Sequence, residues 1–294
     1  MKNKILKRLI CSLSALVVCF SLFSFKLYAS VNRDTIINNG FKLKTVIIDP
    51  GHGGQPTGTG HFSHGASGSY SFERNVTLAI ALKLQKAIEK DIPDIKVVLT
   101  RTNEDDVSWE RRSEIANENN GDVFISIHCN SLPDKVERVH GRHIHVPDRS
   151  GRGVLLLVYG FHRTKEEEAV ISKKLNEDEA VDETSDAGFD PNDPTSVILM
   201  NSIKAKYRKQ SIHLAELINN EFVDHDGRHS DGVIEQGVLV LCHSAMPAVL
   251  VETGFINNPD DEAYLNSDSG QDEIVDTIVR ALTQYKKEVE EVTE

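Results

Sequence analysis

Apolar and polar residues divide the first half of the chain into short strands that alternate with amphipathic helices. Runs rich in Val, Ile and Leu at 44–49, 95–101 and 122–131 predict buried strands, because β-branched residues in runs of this length favour strands. Apolar residues fall four positions apart over 72–90, which predicts a helix, and a second helix is expected over 108–121. This alternation is typical of an α/β domain with a largely parallel sheet and helices on both faces.

The regular alternation breaks in the second half, between about residues 132 and 200. A polar excursion at 133–152 is followed there by an acidic segment that ends in turn-forming or disorder-prone sequence. The elements predicted after the excursion are a strand at 154–160, a helix at 164–180, a helix near 202–222, strands at 237–242 and 248–255, and a helix at 271–286.

The N-terminus is expected to be a targeting segment. Basic residues precede an apolar run that ends near Ala29, which predicts a signal peptide over 1–29 and export of the protein. Leu27 is larger than the residue preferred three positions before a cleavage site, so an uncleaved anchor stays open as an alternative. We expect a linker at 30–43 and one catalytic domain at 44–290. No later segment has the roughly 18 apolar residues that a membrane span requires.

Charge and cysteine content exclude some classes of protein. Removal of the leader, with its five positive charges, changes the formal net charge from −12 to −17. A chain this acidic will not bind nucleic acid by bulk electrostatics. Of the four cysteines, only Cys129 and Cys242 lie outside the leader, so the protein is not a disulfide-based scaffold.

Candidate chemistry lies at the ends of the predicted strands, where open parallel sheets bind ligands. His52, His128 and Glu252 follow or end such strands, and Glu73 opens the first helix. Two imidazoles and one carboxylate form the ligand set of a catalytic zinc ion with an open position. Each residue also has a simpler interpretation, as a hydrogen-bonded structural histidine or as a glutamate that favours the helix dipole. Glu252 follows the apolar run AVLV, where burial would raise its pKa and suit it to general-base catalysis.

Five motifs follow one another along the chain: VIIDPGHGG, ERNVTLAIALKL, LTRTNEDDVSWERRSEIAN, FISIHCNS and MPAVLVETGFINNPDDE. In content and order they resemble the motifs of the zinc-dependent N-acetylmuramoyl-L-alanine amidases of the cell-separation type. The resemblance covers roughly 44–131 and 196–286.

The resemblance implies a twisted, mostly parallel sheet of about six strands and one zinc ion per chain. It implies zinc ligands at His52, Glu73 and His128, and a catalytic carboxylate at Glu252. The implied reaction is hydrolysis of the amide between N-acetylmuramic acid and L-alanine in peptidoglycan, for wall remodelling and daughter-cell separation. We expect Asn130 to steady substrate oxygens. The expected protein is a periplasmic monomer, with the cell surface or secretion as alternatives, and it does not contact the membrane after signal cleavage.

The chain departs from the family pattern at three places. Arg74 replaces the lysine that commonly follows the glutamate ligand. Cys129 replaces alanine and is interpreted as a small buried residue rather than a competing ligand. The excursion contains His140, His143 and His145. A H-x-H pair on a strand would place two rings on one face, yet we interpret these histidines as surface residues without a metal.

The insertion at 133–200 is expected to carry regulation. Its part at 164–200 resembles the segment that covers the active site of related division amidases until an activator with a LytM-type domain displaces it. Mobile acidic loop sequence is the alternative. The residues considered for blocking the zinc are Glu166, Glu167, Glu168, Glu177, Glu179 and Glu183.

Two rival functions remain at this point. A carboxypeptidase of the stem peptide would need an arginine that clamps a free carboxylate, for which Arg101 and Arg112 are candidates, although a structural role is simpler for both. A wall-binding adaptor without catalysis would be expected to lose metal ligands, whereas all four expected positions are present.

Overall fold

A six-stranded sheet forms the centre of the part of the chain that the computed structural model describes, residues 41–54, 63–160, 164–179, 190 and 192–291. Its strands are β1 (Thr45–Pro50), β2 (Lys96–Leu99), β3 (Val123–Asn130), β6 (Val154–Tyr159), β7 (Ser230–Gln236) and β8 (Ala248–Phe255). Their order in the sheet is β2-β1-β3-β8-β6-β7. Every pairing is parallel except β6 with β8.

Seven α-helices connect or flank these strands within the described residues. A π-helical turn, Glu221–His225, extends the fourth helix. The helices are α1 (Glu73–Asp91), α2 (Trp109–Glu118), α3 (Thr164–Glu179), α4 (Pro194–Asn220), α5 (Leu239–Cys242), α6 (Pro259–Leu265) and α7 (Asp268–Glu291). This architecture confirms the predicted α/β class and the mostly parallel sheet of six strands.

The middle of the sheet is covered on both faces, since every residue of β1 is buried. On one face, Ile47, Phe124 and Leu250 of three neighbouring strands pack against α2 and α5. Strand residues alternate between faces, so Asp49, His128 and Glu252 share this face at the carboxyl ends of the same strands. The α2–α5 face therefore carries the candidate site.

The polar excursion at 133–152 contains a hairpin that lies outside the central sheet. Strands β4 (Lys135–Val139) and β5 (Arg142–Val146) pair antiparallel, and positive φ angles at His140 and Gly141 form the turn. Two-residue turns with this backbone match the twist of paired strands. His143 and His145 share one exposed face of the hairpin, as the H-x-H spacing predicts.

The predicted strand at 237–242 is wrong. Its apolar residues form the short helix α5, and a short apolar run does not by itself distinguish a strand from a buried helix. The sixth strand is instead β7, an edge strand whose sequence SDGVIEQ lacks apolar alternation. The helix expected near 202–222 begins earlier, at Pro194, where Asp193 caps it through Ser196 N.

The leader, 1–29, and most of the expected linker lie outside the described residues, as does most of the turn-rich segment after α3. Among the described helices, none combines the length and apolar character that a membrane span would require.

Candidate active site

The loop after β1 carries His52, and two buried arginines hold its backbone. Arg112 of α2 donates to the carbonyl oxygens of Pro50, at 2.6 Å, and His52, at 2.7 Å. Arg101 donates to those of Pro50 and Gly51, each at 2.9 Å. Three successive carbonyl groups are thereby fixed, including that of His52, whose φ of 60° is unusual for a residue with a side chain.

Buried Asp49 anchors this arrangement from the end of β1. Its carboxylate accepts hydrogen bonds from Arg112 at 2.6 Å, Ser126 at 2.7 Å and Thr100 at 2.5 Å. Burial alone would raise the pKa of Asp49, but the Arg112 charge and the two hydroxyl donors outweigh burial and lower it. Asp49 thus holds Arg112 as an ion pair, and Arg112 in turn positions the His52 backbone.

The side chains of His52, Glu73 and His128 converge at one point. Glu73 Oε1 lies 3.2 Å from His52 Nε2 and 3.0 Å from His128 Nδ1. The two imidazole rings meet edge to face, with centroids 4.8 Å apart. Glu73 is the first residue of α1 and is buried, so its carboxylate turns into the site rather than towards solvent at the helix start.

These three donors fit a zinc ion. Ligands at about 2.0–2.1 Å in a tetrahedron stand roughly 3.3 Å apart, close to the two separations from Glu73 Oε1. Two imidazole nitrogens and one carboxylate oxygen are also a donor set that zinc accepts while keeping an open position. His52, Glu73 and His128 are therefore the residues that would hold the metal.

Neighbouring groups fix the orientation of each donor. Ser63 Oγ lies 2.6 Å from His52 Nδ1, which leaves Nε2 to face Glu73. Glu73 accepts from the backbone N–H of Ala66 through Oε2, at 2.6 Å, and from that of Cys129 through Oε1, at 2.9 Å. Such outer contacts set the tautomer and direction of metal ligands and raise metal affinity.

Two glycines make room for the cluster. A Cβ added to Gly51 would lie 2.4 Å from Cε1 and Nε2 of the His128 ring, so only glycine allows this ring position. A Cβ added to Gly65, whose φ is +70°, would lie 2.5 Å from Glu73 Oε2 and 2.7 Å from His52 Cδ2. The glycines are thus required by the packing of donor side chains against backbone.

Charge within the cluster favours an ionised Glu73. Burial raises the pKa of Glu73, but hydrogen bonds and charge from the two histidines outweigh it and lower that pKa well below its usual range. Burial lowers the pKa of His128, and the Glu73 carboxylate more than offsets this effect, so the net direction is upward. A group of donors that attracts protons in this way is suited to attract a cation.

Glu252 lies beside His128, directly across from it in the paired strands β3 and β8. Burial, reinforced by the Glu73 charge and opposed by His128, raises the pKa of Glu252 to about 7. Its Oε2 is buried and has no hydrogen-bond partner in the described protein, so it is available to a water or substrate proton. A carboxylate with this pKa can both accept and return a proton near neutral pH.

A cleft of about 400 Å³ opens over these residues on the α2–α5 face. His52 and His128 lie at its floor with Leu250, which is on the same face of β8 as Glu252. Its walls come from the start of α2, including the partly exposed Trp109, and from the start of α5. The cleft is large enough for a few sugar or peptide groups next to the donor cluster.

The other residues considered from sequence have structural partners. Asn130 is partly buried, and its side-chain oxygen accepts from Ser131 N at 2.8 Å. Cys129 is buried, and burial raises the pKa of its thiol well above the usual value; its Sγ contacts Thr253 rather than the donor cluster. Both candidate clamping arginines, Arg101 and Arg112, are buried against backbone carbonyls, which removes the basis for a carboxypeptidase clamp.

The acidic residues considered as zinc blockers are partly described. Glu166 Oε2 lies 3.0 Å from His243 Nε2, and Glu168 Oε1 lies 2.8 Å from Lys204 Nζ. Glu167 faces the same lysine at 3.8 Å. The structure thus does not bring these three carboxylates to the His52 cluster. The side chains of Glu177 and Glu179, and the whole of Glu183, lie outside the described residues.

Sequence reasoning missed Ser63, Trp109 and the role of Asp49. Ser63 lies 11 residues after His52, and a spacing of this length does not predict contact between the two side chains. In the sequence, Trp109 is one residue at the start of a predicted helix. Its place in the cleft follows only from the packing of α2 against the sheet. Asp49, next to Pro50, carried the one available signal: a carboxylate at the end of an apolar strand needs a buried cation.

Residues 46–284 match the family Amidase_3, described as N-acetylmuramoyl-L-alanine amidase. This match includes the three residues of the donor cluster and Glu252 beside them, and it spans most of the chain.

Individual relatives agree with the family match. The amidase AmiA of Escherichia coli K12 is 26% identical over 242 residues, covering 82% of this chain and 76% of AmiA. AmiC of Escherichia coli O6:H1 is 26% identical over 245 residues, and the match spans about half of AmiC, 52%. An N-acetylmuramoyl-L-alanine amidase structure from Clostridium difficile 630 has a TM-score of 0.56 at 24% identity, covering 83% of this chain and 97% of that one. The structural likeness supports the fold.

Proposed function

The chain belongs to the Amidase_3 family of N-acetylmuramoyl-L-alanine amidases, and from this premise we propose that its hydrolysis of peptidoglycan depends on zinc held by His52, Glu73 and His128. The observation that supports the proposal most is the convergence of His52 Nε2 and His128 Nδ1 on one oxygen of Glu73. The substrate bond is the amide between the lactyl group of N-acetylmuramic acid and L-alanine.

When bound, zinc would polarise the amide carbonyl and make an adjacent water more acidic. Glu252 accepts a proton from the water as the water oxygen bonds to the carbonyl carbon. Glu252 then gives a proton to the amide nitrogen as the carbon–nitrogen bond breaks. The products are the lactyl carboxylate on the glycan and a stem peptide that begins with a free L-alanine amine. The raised pKa of Glu252 and its unpartnered Oε2 support this two-way proton transfer.

The remaining residues bind and orient. Ser63 holds the His52 ring, and the cleft walls exclude bulk water from one side of the reacting amide. Asn130 is proposed to hold a substrate oxygen with its amide nitrogen while its own oxygen bonds Ser131. Asn130→Ala is expected to raise KM or lower kcat by about tenfold with unchanged zinc content. Unchanged turnover would remove this role.

Mass spectrometry of soluble products from purified peptidoglycan tests the proposal. The protein with zinc is expected to release stem peptides that begin at L-alanine, and Glu252→Gln is expected to reduce their release by at least about 100-fold while zinc content stays the same. Products shortened at the peptide's carboxyl end would identify a carboxypeptidase instead. Normal product release by the Glu252→Gln variant would contradict the assigned role.

Regulation and location form a second part of the proposal. The basic residues and apolar run of the N-terminus support export through a signal peptide at 1–29, and the sequence resemblance supports a role in daughter-cell separation. It also supports inhibition by the segment 164–200 until a LytM-domain activator displaces it. Deletion of 165–195 is expected to raise activity at least tenfold without activator. An unchanged rate in a folded deletion variant would rule out inhibition by this segment.

A further inference from the structure

A second group of potential metal ligands lies where α3 meets α5, in residues separate from the zinc cluster. Glu166 comes from the first turn of α3, Cys242 is the last residue of α5, and His243 follows it. One ligand atom from each of the three lies within 4.8 Å of the other two. The closest pair, His243 Nε2 and Glu166 Oε2, is 3.0 Å apart, close to the separation of two ligands on one ion.

The surrounding protein positions these donors. Cys242 is 1% exposed, in a helix whose Val240 and Leu241 belong to the core between sheet and helices. The backbone carbonyl of His243 accepts from Asn117 Nδ2 at 3.0 Å. The His243 side chain keeps 23% exposure and that of Glu166 keeps 41%, so an ion has a path from solvent to the thiol.

Helix α3 is independently anchored at this position. Its residue Glu168 pairs with buried Lys204 of α4 at 2.8 Å, and Ile171 packs with Met200 and Ala245 in a small apolar cluster. The Glu166 carboxylate is therefore presented from a helix that is packed in place rather than from a free loop. Preorganised donors lose less entropy when they bind an ion.

We propose that Glu166, Cys242 and His243 form a second metal site, for a divalent ion of the zinc class. A thiolate and an imidazole select zinc-like ions over magnesium or calcium, which prefer all-oxygen ligands. On binding, the Cys242 thiol releases its proton to solvent, and its sulfur forms the bond to the metal. The three donors leave a fourth position for a small ligand.

The ion would join α3 of the insertion to the wall of the active-site cleft. The His243 ring meets Trp109 edge to face, with centroids 4.9 Å apart, and Trp109 lines the cleft. Metal binding thus fixes the start of α3 against the residue that forms the cleft rim. This role is independent of the proposed reaction and of the first zinc site.

Trp109 provides the test, because it is the one tryptophan in the sequence. In a His52→Ala variant, which lacks a ligand of the first site, Zn²⁺ is expected to change Trp109 fluorescence with saturation at one equivalent. Cys242→Ser or Glu166→Gln in the same background should weaken Zn²⁺ binding at least about 100-fold. Loss of a group that only orients a metal ligand already lowers metal affinity by about 10–100-fold. Because Glu166 lies on the surface side of α3, its variant keeps the test valid if the cysteine variant folds poorly.

His213→Gln is the matched control, because His213 also pairs with a glutamate, Glu288, but belongs to neither group of potential metal ligands among the described residues. It should leave the titration unchanged. Metal analysis of the otherwise unaltered protein should give two zinc ions per chain, and one in the Cys242→Ser variant. A fluorescence change that is absent, or equal in all variants, would overturn the second site. Amidase activity that fails while this titration succeeds would refute only the proposed reaction.

Discussion

Two arginines set the direction of His52 through its backbone. The left-handed φ of this residue costs roughly 1–2 kcal/mol for a residue with a side chain, and Arg112 offsets that cost by binding its carbonyl oxygen. Arg101 binds the two preceding carbonyls. Burial and the neighbouring Arg112 lower the pKa of Arg101 to about 10, so the Arg101 guanidinium remains charged at neutral pH.

Gly51→Ala tests whether a glycine is needed next to His52 to leave space for the His128 ring. The added methyl group would overlap that ring, so we expect zinc affinity and amidase activity to fall at least tenfold. Gly141→Ala is the control, because its Cβ meets no atom within 4 Å and its strain is confined to the outlying hairpin. Metal analysis and product assays measure both variants. Equal zinc affinity in the two would show that the His128 ring tolerates the methyl group.

Glu252→Gln is expected to stabilise the metal-free protein in a pH-dependent way. The pKa of Glu252 is 4.5 in the unfolded chain and about 7 in the folded protein. Ionisation of Glu252 therefore destabilises the folded protein increasingly above pH 4.5, and this destabilisation reaches its full value above pH 7. One pKa unit corresponds to about 1.4 kcal/mol. The variant's free energy of unfolding, minus that of the unaltered protein, should therefore be up to about 3 kcal/mol larger at pH 8 than at pH 4.5. Urea unfolding at the two pH values measures this gain. A difference that does not vary with pH would contradict the raised pKa.

At the scale of elements, the segment Asn258–Glu262 ties distant loops to the end of β8. Asn258 caps α6 by accepting from the N–H groups of Asp260 and Asp261. Asp261 accepts from Gly153 N and Phe255 N. The motif NNPDDE has residues typical of a helix start, but the sequence analysis predicts no helix there, and the contacts of the motif with remote loops follow only from the fold.

Glu262→Gln is expected to loosen the loop that leads into α1. Buried Glu262 accepts from the N–H groups of residues 69–71 and from the Ser71 hydroxyl, and a neutral amide can accept fewer of these bonds. The free energy of unfolding should fall by about 1–3 kcal/mol. The exposed Glu216 of α4 supplies the control Glu216→Gln, with an expected change within about 0.5 kcal/mol. Denaturant unfolding compares them, and equal stability of the two variants would refute the anchoring role.

Elements with strong periodic patterns were predictable, and those formed by tertiary context were not. Strand β8 has the predicted bounds, and α1 begins and ends within one residue of the prediction. The apolar run of helix α5 predicts a strand, because it is too short to show a helical period. Edge strand β7 lacks alternation, since pairing with β6 stabilises it without burying one face fully.

At the scale of the whole molecule, strand order determines how much of the site can be predicted from the sequence. His52 follows β1 and His128 lies near the carboxyl end of the adjacent strand β3, so their proximity follows from a parallel sheet. The place of Glu252 next to His128 requires β8 to pair with β3, which periodicity does not predict. The motif resemblance implies only that Glu252 is the catalytic carboxylate. The contacts of Ser63 and Trp109 depend on loop conformation and helix packing, which a single sequence does not encode locally.

Metal removal is expected to destabilise the folded protein as a whole. An ion that binds the folded but not the unfolded chain stabilises it by about 4 kcal/mol at a free concentration 1,000 times Kd. A chelator should therefore lower the thermal midpoint, and added Zn²⁺ should restore it. His52→Ala should reduce the shift, because it removes a ligand of the first site. An unchanged midpoint with chelator in the unaltered protein would contradict metal binding by the folded state.

The most direct test of the metal centre is anomalous diffraction at the zinc absorption edge from crystals grown with Zn²⁺. We expect a peak about 2.0–2.2 Å from His52 Nε2, His128 Nδ1 and a Glu73 oxygen, with Glu252 beside its open position. His52→Ala crystals should lose this peak. A map with no anomalous density between these three residues, from active protein, would contradict the zinc assignment.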